Sequence, residues 1–141
     1  MNKSNKVKCL VCSKMVQLTR MRQHIGKHII LNDLIKKAKT CGYCGGNSCS
    51  LRLVRTSGRG SNSNYGPDSD CKYKIDFSMG SAAKSSKFSP CTNRPIECNL
   101  CDKVYVWSYN IDQHYSLNHP NIRPECFISE DEKNKVKSLS C

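Results

Sequence analysis

Hydrophobic and polar residues alternate in two short stretches near the middle of the chain. Residues 50–54 and 72–77 each place apolar side chains at every second position, which is the period of a β-strand with one buried face. The segment between them, residues 56–69, is rich in Ser, Gly and Asn, a composition typical of flexible loops. We therefore expect a β-hairpin with a long flexible tip in the centre of the chain.

Two other segments have a helical pattern. Residues 30–38 place Ile, Leu and Ala three or four positions apart, which predicts a connecting amphipathic helix over residues 31–40. This helix would pack on the cysteine-rich central segment, residues 41–97, or alternatively bind a partner. Ser129 and Glu132 have capping-box spacing, so we expect a short helix in the tail, residues 121–141.

Burial of apolar surface alone offers these elements little stability. Only 7% of the 141 residues are aromatic, and the mean hydropathy is −0.58. The chain has 11 cysteines and begins with polar and basic residues rather than an apolar signal segment. An odd number of cysteines in a reducing compartment favours metal binding over disulfides. The composition therefore predicts small modules that are stabilised by metal ions.

All four histidines lie downstream of a Cys-x2-Cys pair. The first set is Cys9, Cys12, His24 and His28, and the second is Cys98, Cys101, His114 and His119. This spacing is typical of Cys2His2 zinc sites, in which two thiolates from a turn and two imidazoles from one face of a helix complete a tetrahedron. We therefore expect a Cys2His2 finger with ββα structure over residues 1–30 and a second over residues 98–120.

Apolar residues stand where such a finger buries its small core. They are Val16 and Met21 in the first unit and Tyr105 and Ile111 in the second. The first pair is one residue closer together than the second, which predicts a slightly irregular N-terminal finger and a regular C-terminal one.

A third group of cysteines, without any histidine, lies in residues 41–97, which we call the cysteine module. Its members are Cys41, Cys44, Cys49, Cys71 and Cys91. The first two form a glycine-rich knuckle suited to a metal. If residues 72–77 pair with residues 50–54, Cys71 lies at the far end of the hairpin, roughly 15 Å from the knuckle. Cys49 and Cys91 are then expected to complete a four-cysteine site, with Cys71 as the substitute ligand if the strands pair differently.

These expectations define one fold class. The sequence predicts a small zinc-stabilised α+β protein in which two ββα Cys2His2 fingers flank a Cys-rich β-hairpin module. Zn²⁺ is the expected cofactor, with one ion in each finger and a third in the cysteine module.

Three motifs are similar to those of a multicopy group of fungal Cys2His2 zinc-finger proteins. They are CGYCGG from Cys41, DCKY from Asp70 and SPCTNRPIECNLC from Ser89. The resemblance covers residues 41–120 and leaves the N-terminal finger outside its strongest part. It implies nucleic-acid binding, and it implies that the cysteine module and the last finger pack together.

Positive charge is concentrated at the N-terminal end. The net charge is +12, and residues 1–40 hold ten Lys or Arg and one acid, whereas residues 98–141 hold five and six. A cationic surface beside a finger favours nucleic acid, with double-stranded DNA as the preferred form. Finger helices contact bases from positions −1, 3 and 6. With the neighbouring lysines, the candidate nucleic-acid contacts are Gln17, Arg20, Gln23, Lys27, Lys36 and Lys37.

The equivalent positions of the C-terminal finger are Trp107, Asn110 and Gln113, with Tyr109 beside them. Trp and Tyr are unusual in major-groove contacts and are typical of buried or interface positions. We expect them to pack against the cysteine module, and a partner protein is the alternative.

The sequence thus predicts a nuclear zinc-finger protein that binds nucleic acid. An enzyme is not expected, because every histidine belongs to a metal set and four protein ligands leave no open position for an activated water. No apolar stretch is long enough to span a membrane. The alternative is a zinc-stabilised protein-interaction adaptor that does not recognise nucleic-acid sequence.

Overall fold

The computed structural model describes residues 5–31, 40–55, 65–75, 77, 85, 90–122 and 128–139. In this part of the chain the protein has a small α+β fold with three helices and six short strands, which form three separate antiparallel pairs. The strands are β1 (Lys6–Lys8), β2 (Met15–Gln17), β3 (Arg52–Arg55), β4 (Tyr65–Asp68), β5 (Pro95–Glu97) and β6 (Tyr105–Trp107). The helices are α1 (Met21–Ile30), α2 (Ile111–Asn118) and α3 (Glu130–Lys137).

The N-terminal unit, residues 5–31, runs strand, strand, helix. Its hairpin pairs β1 with β2 so that Val7 lies opposite Val16, and the buried Val16 faces α1. A 3-10 turn, Leu18–Arg20, leads into α1, whose Met21 and Ile25 are fully buried. Because strands alternate their faces, this register leaves Lys6 and Lys8 of β1, and Met15 and Gln17 of β2, on the outer face.

The C-terminal unit, residues 95–122, repeats this order. Ile96 of β5 lies opposite Val106 of β6, and a 3-10 turn, Ser108–Asn110, precedes α2. Val106 packs with Ile111 and Tyr115 in a small core of its own. Two distant segments with similar cysteine and histidine spacing therefore share one local structure.

The central hairpin differs from the sequence expectation. β3 pairs with β4 rather than with residues 72–77, and Lys72 and Tyr73 form a turn. The expected loop over residues 56–69 is therefore wrong for residues 65–68, while residues 56–64 lie outside the described residues. The motif Gly66-Pro67 favours a loop from sequence, but a strand of a two-stranded sheet has an unpaired edge, where a proline costs no hydrogen bond.

Side chains close this hairpin at its base. Asp68 accepts a hydrogen bond from Arg52 Nε at 2.6 Å, and the amide of Ser50 donates to Asp70 Oδ1 at 2.7 Å. The amide of Asp70 in turn donates to Ser50 Oγ at 3.1 Å. These contacts bring the residues just before β3 and just after β4 together.

The three parts of the chain share one core. Tyr43 of the cysteine module is fully buried and contacts Trp107 edge to face, with ring centroids 4.8 Å apart. Trp107 is 3% exposed and Tyr109 2%, so their expected packing against the rest of the protein is confirmed. Gly42 is needed at this contact, because a Cβ there would lie 2.4 Å from the Trp107 ring.

The tail helix is confirmed as α3. Ser129 caps it by accepting a hydrogen bond from the amide of Glu132 at 3.1 Å, as the capping-box spacing predicts. The helix packs on α1, and its Val136 is fully buried in the shared core. The connecting helix expected over residues 31–40 falls mostly on residues 32–39, which lie outside the described residues together with Lys36 and Lys37. None of the described helices is long and apolar enough to cross a bilayer.

Candidate metal centres

Three groups of side chains could each hold a metal ion. The groups are Cys9, Cys12, His24 and His28; Cys41, Cys44, Cys49 and Cys71; and Cys98, Cys101, His114 and His119. Within each group, one ligand atom of every residue lies within 4.8 Å of the others. The nine cysteines among the described residues have free thiols, so sulfur is available as a ligand.

The distances in the first group are slightly shorter than those of a zinc tetrahedron. Zn–S bonds of about 2.3 Å and Zn–N bonds of about 2.0–2.1 Å place tetrahedral ligand atoms roughly 3.3–3.8 Å apart. Cys12 Sγ lies 3.3 Å from His24 Nε2, which lies 3.1 Å from His28 Nε2. The two histidines are four residues apart on α1 and therefore share one face of the helix.

Burial keeps the imidazoles of His24 and His114 in the form that binds a metal. Burial, followed by the charge of His28, lowers the pKa of His24 to about 4. Burial and the charge of His119 also lower the pKa of His114. Both rings are therefore neutral at pH 7, with a lone pair available for a metal ion.

The C-terminal group reaches similar geometry with a longer histidine spacing. Cys101 Sγ lies 3.5 Å from His114 Nε2 and 3.2 Å from His119 Nε2. Helix α2 ends at Asn118, and His119 has φ −138° and ψ 61°, outside the helical region. Leaving the helix at this residue turns the ring of His119 back toward the thiolates, which a fifth residue in a regular helix would not do.

The central group contains Cys71 rather than Cys91, so the structure brings together the substitute ligand set and not the first one expected. Cys44 Sγ lies 3.6 Å from Cys49 Sγ, close to the separation expected for two sulfurs on one zinc. The correction follows from the position of β4. Because the hairpin returns over residues 65–68, Cys71 comes just after its base and beside Cys49, not at its far end.

Backbone amides point at the sulfurs of this group. The amides of Tyr43, Gly46 and Tyr73 donate to Cys41, Cys44 and Cys71 Sγ at 3.3–3.4 Å, as the amide of Val11 does to Cys9. Each donor is two residues after its cysteine. Such N–H donors stabilise the thiolate, which is the form of cysteine that binds a metal, relative to the thiol.

Cys91 lies instead beside α1, where it is fully buried. Arg22 reaches it from α1, with Nη1 3.7 Å from Cys91 Sγ and further hydrogen bonds to the carbonyl oxygens of Cys91 and Asn93. Burial raises the pKa of the Cys91 thiol, which keeps it neutral. The cation of Arg22 also lies 4.4 Å from the centre of the Phe77 ring.

A buried carboxylate joins α3 to the same region. Glu132 Oε2 accepts hydrogen bonds from Tyr109 Oη and Thr92 Oγ1, both at 2.5 Å, and from the Thr92 amide at 3.2 Å. Burial, together with Cys91 and Glu132, raises the pKa of Tyr109 well above its usual range. Sequence analysis missed Arg22 and Glu132. For Glu132 the available signal was its position four residues before Val136 on one helix face, whereas Arg22 left no local signal.

The candidate nucleic-acid contacts have different environments. Arg20 is exposed, and Gln17 is half-buried at the end of β2. Gln23 Oε1 is buried, and Lys27 Nζ donates to the carbonyl oxygen of Leu139 at 2.6 Å. Of the C-terminal positions, Trp107 and Asn110 are buried and Gln113 is half-buried. Only part of the predicted reading surface therefore faces solvent.

Comparison of the chain with protein-family models, with curated proteins and with solved structures finds no match.

Proposed function

We propose that the protein is a zinc-binding protein with two Cys2His2 fingers and one four-cysteine site, and that it binds nucleic acid, with double-stranded DNA preferred, in the nucleus. Three complete sets of four candidate ligands support the metal-binding half of this proposal. Zn²⁺ in these sets would act as a structural crosslink, since four protein ligands leave no open position for chemistry. The motifs similar to fungal zinc-finger proteins support the same proposal.

The charge distribution supports nucleic acid as the partner. Residues 5–31 contain six Lys or Arg and no acid, whereas residues 95–122 contain one Lys and three acids. The positive field is therefore concentrated on one unit of the folded protein. A concentrated cationic surface attracts phosphates and gains affinity when counterions are released.

Metal content tests the first half of the proposal. Protein purified in zinc-containing medium should carry three Zn²⁺ ions in native mass spectrometry and should lose its folded circular-dichroism spectrum with a strong chelator. A folded, metal-free protein would contradict it.

A random-duplex selection near physiological salt tests the second half. Retention of duplexes by the zinc-loaded protein, with affinity that falls as salt rises, is the expected result. No retention of DNA or of a matched RNA pool at low salt would reject nucleic-acid binding.

The alternative is a protein-interaction adaptor, which exposed apolar side chains on the C-terminal unit favour. Leu100, Val104 and Leu117 are 46%, 37% and 56% exposed. Replacement of Arg20 by Ala separates the two functions. A loss of DNA affinity with full zinc content would favour nucleic-acid binding, because Arg20 is exposed whereas Gln17, Gln23 and Lys27 are half-buried. The absence of DNA binding in both the variant and the wild type would favour the adaptor.

A further inference from the structure

The rest of the protein covers most of helix α1, which limits how this helix can bind DNA. Seven of its ten residues are buried. One face packs on the β1–β2 hairpin, and a second face packs on Cys91, Tyr109 and α3. A Cβ on Gly26 would lie 2.9 Å from Cys91 Sγ and 3.1 Å from the Tyr109 ring, which shows how closely this second face is covered.

The third face of α1 is also partly covered by other parts of the protein. Lys27 holds the carbonyl oxygen of Leu139, after the end of α3, and Gln23 Oε1 is buried. Arg20, at the start of the helix, is exposed. A major groove about 12 Å wide admits one helix, so a helix with neighbours on two sides and α3 beside its last turn does not fit lengthwise into it. Approach through the start of α1, at the exposed Arg20, is left open.

The outer face of the β1–β2 hairpin, in contrast, is open and cationic. The register places Lys6 opposite Gln17 and Lys8 opposite Met15, on the side away from the buried Val16. Both lysines are exposed, and as alternate residues of a strand they point the same way, about 6.8 Å apart. Lys14, next to this face, is also exposed.

Positive charge continues from this hairpin onto the cysteine module. Tyr73 Oη donates to the carbonyl oxygen of Lys8 at 2.5 Å, which fixes the module against β1. The neighbouring Lys72 is exposed. Lys72 therefore adds positive charge on a part of the fold that is joined to β1 by a partly buried hydrogen bond.

We propose that this hairpin face, defined by Lys6, Lys8 and Gln17 and extended by Lys14 and Arg20, binds the phosphate backbone of nucleic acid. This inference rests on the proposed nucleic-acid binding and specifies how it occurs. Helix α1 then positions metal ligands and the core rather than reading bases, and binding depends on charge and not on sequence.

The salt dependence of binding tests this surface. Log K falls with log salt concentration with a slope of about −0.9 for each phosphate contact on B-DNA. Removal of two contacts in the double variant Lys6→Gln, Lys8→Gln should reduce the slope by about 1.8. The affinity of the wild type should then fall about 12-fold more than that of the variant between 50 and 200 mM salt.

Fluorescence anisotropy with a labelled 20-base-pair duplex of random sequence measures these slopes. The matched control is Lys133→Gln, Lys137→Gln, which removes the same charge from α3 and should leave the slope within about 0.5 of the wild type. All three proteins must contain the same amount of zinc, so that a change reflects the surface and not the fold.

The outcomes separate the two proposals. Salt-sensitive wild-type binding with an unchanged slope in the Lys6, Lys8 variant would overturn the hairpin surface and leave nucleic-acid binding intact. Selection of a sequence motif that disappears in Gln23→Ala would place α1 in the groove and also overturn it. No binding of wild type to duplex, or a clear preference for anionic vesicles over duplex, would reject both proposals.

Discussion

Exchange of Cys71 or of Cys91 for serine should have different effects on metal binding at the central candidate site. Cys71→Ser removes one of the four sulfurs that lie within 4.8 Å of one another, whereas Cys91→Ser changes a thiol outside every ligand group. Serine is close in size to cysteine and is a poor zinc ligand, so each exchange tests ligation with little change in volume.

The expected effect of Cys71→Ser follows from the free energy of zinc binding. A structural zinc site contributes about 10–16 kcal/mol in finger peptides, so one of four ligands accounts for about 2.5–4 kcal/mol. This corresponds to a loss of roughly 100- to 1,000-fold in affinity. The two histidine-containing sites keep all their ligands, so the variant should bind two zinc ions tightly and a third weakly.

Cys91→Ser should retain three tight sites. Two of the hydrogen bonds of Arg22 in this region go to carbonyl oxygens, which the exchange does not alter. The cost is the burial of a hydroxyl in place of a thiol, about 1–2 kcal/mol of folding stability. The two variants therefore differ in metal binding, and stability alone does not distinguish them.

Native mass spectrometry after equilibration with a chelator of intermediate affinity counts the tightly bound ions. We expect three in the wild type, two in Cys71→Ser and three in Cys91→Ser. Three ions in Cys71→Ser together with two in Cys91→Ser would refute the assignment and restore the ligand set expected from sequence.

Three further predictions concern the shared core. Gly42→Ala should destabilise the protein by about 1–3 kcal/mol or more, because the new methyl overlaps the buried Trp107 ring; an unchanged denaturant midpoint would contradict this. Glu132→Gln should cost about 1–3 kcal/mol through loss of charge-assisted hydrogen bonds, whereas Glu130→Gln on the exposed side of α3 should cost under about 0.5 kcal/mol in the same denaturant titration. Burial raises the pKa of Tyr109, so the neutral phenol stabilises the folded protein below about pH 10, which is the pKa of tyrosine in the unfolded chain. This stabilisation is lost as the pH rises further. Ultraviolet titration should find that Tyr109→Phe removes one tyrosine that ionises only as the protein unfolds.

The ligand sets with histidine were predictable from sequence because zinc geometry imposes strict local spacing. His24 and His28 must lie four apart on a helix, and each Cys-x2-Cys pair must form a turn. The same constraint predicted apolar residues at the positions that form the small core of each unit, such as Val16 and Ile111, and both are buried. Local chemistry therefore determined local structure.

The central group was harder to predict because its ligands depend on strand register. Pro67 lies opposite Leu53 in the β3–β4 pair, although proline in a short polar segment favours a loop. The expected second strand starts at residue 72, seven residues after the observed start at residue 65, and this placed Cys71 at the wrong end of the hairpin. The position of one strand therefore changed which cysteines were expected to meet.

Contacts between the units left almost no local signal. Arg22 occupies a helix position that is normally solvent-facing, yet it binds backbone oxygens about 70 residues away in sequence. Nothing in the local pattern of residues 5–31 indicates this partner. The same holds for Lys27 and Leu139, so the extent to which α1 is covered could be learned only from the folded chain.

These long-range contacts imply that the three metal groups are not independent modules. Gly26, between the two histidines of α1, packs on Cys91 and Tyr109, and Tyr109 is anchored by Glu132 of α3. Loss of metal from the N-terminal group would release α1 and expose apolar surface of the other parts. Unfolding of one group thus removes packing from the others, so folding and metal binding should be cooperative across the chain. The cationic hairpin face is then held in one orientation by the whole core, rather than by a metal ion in the N-terminal group alone.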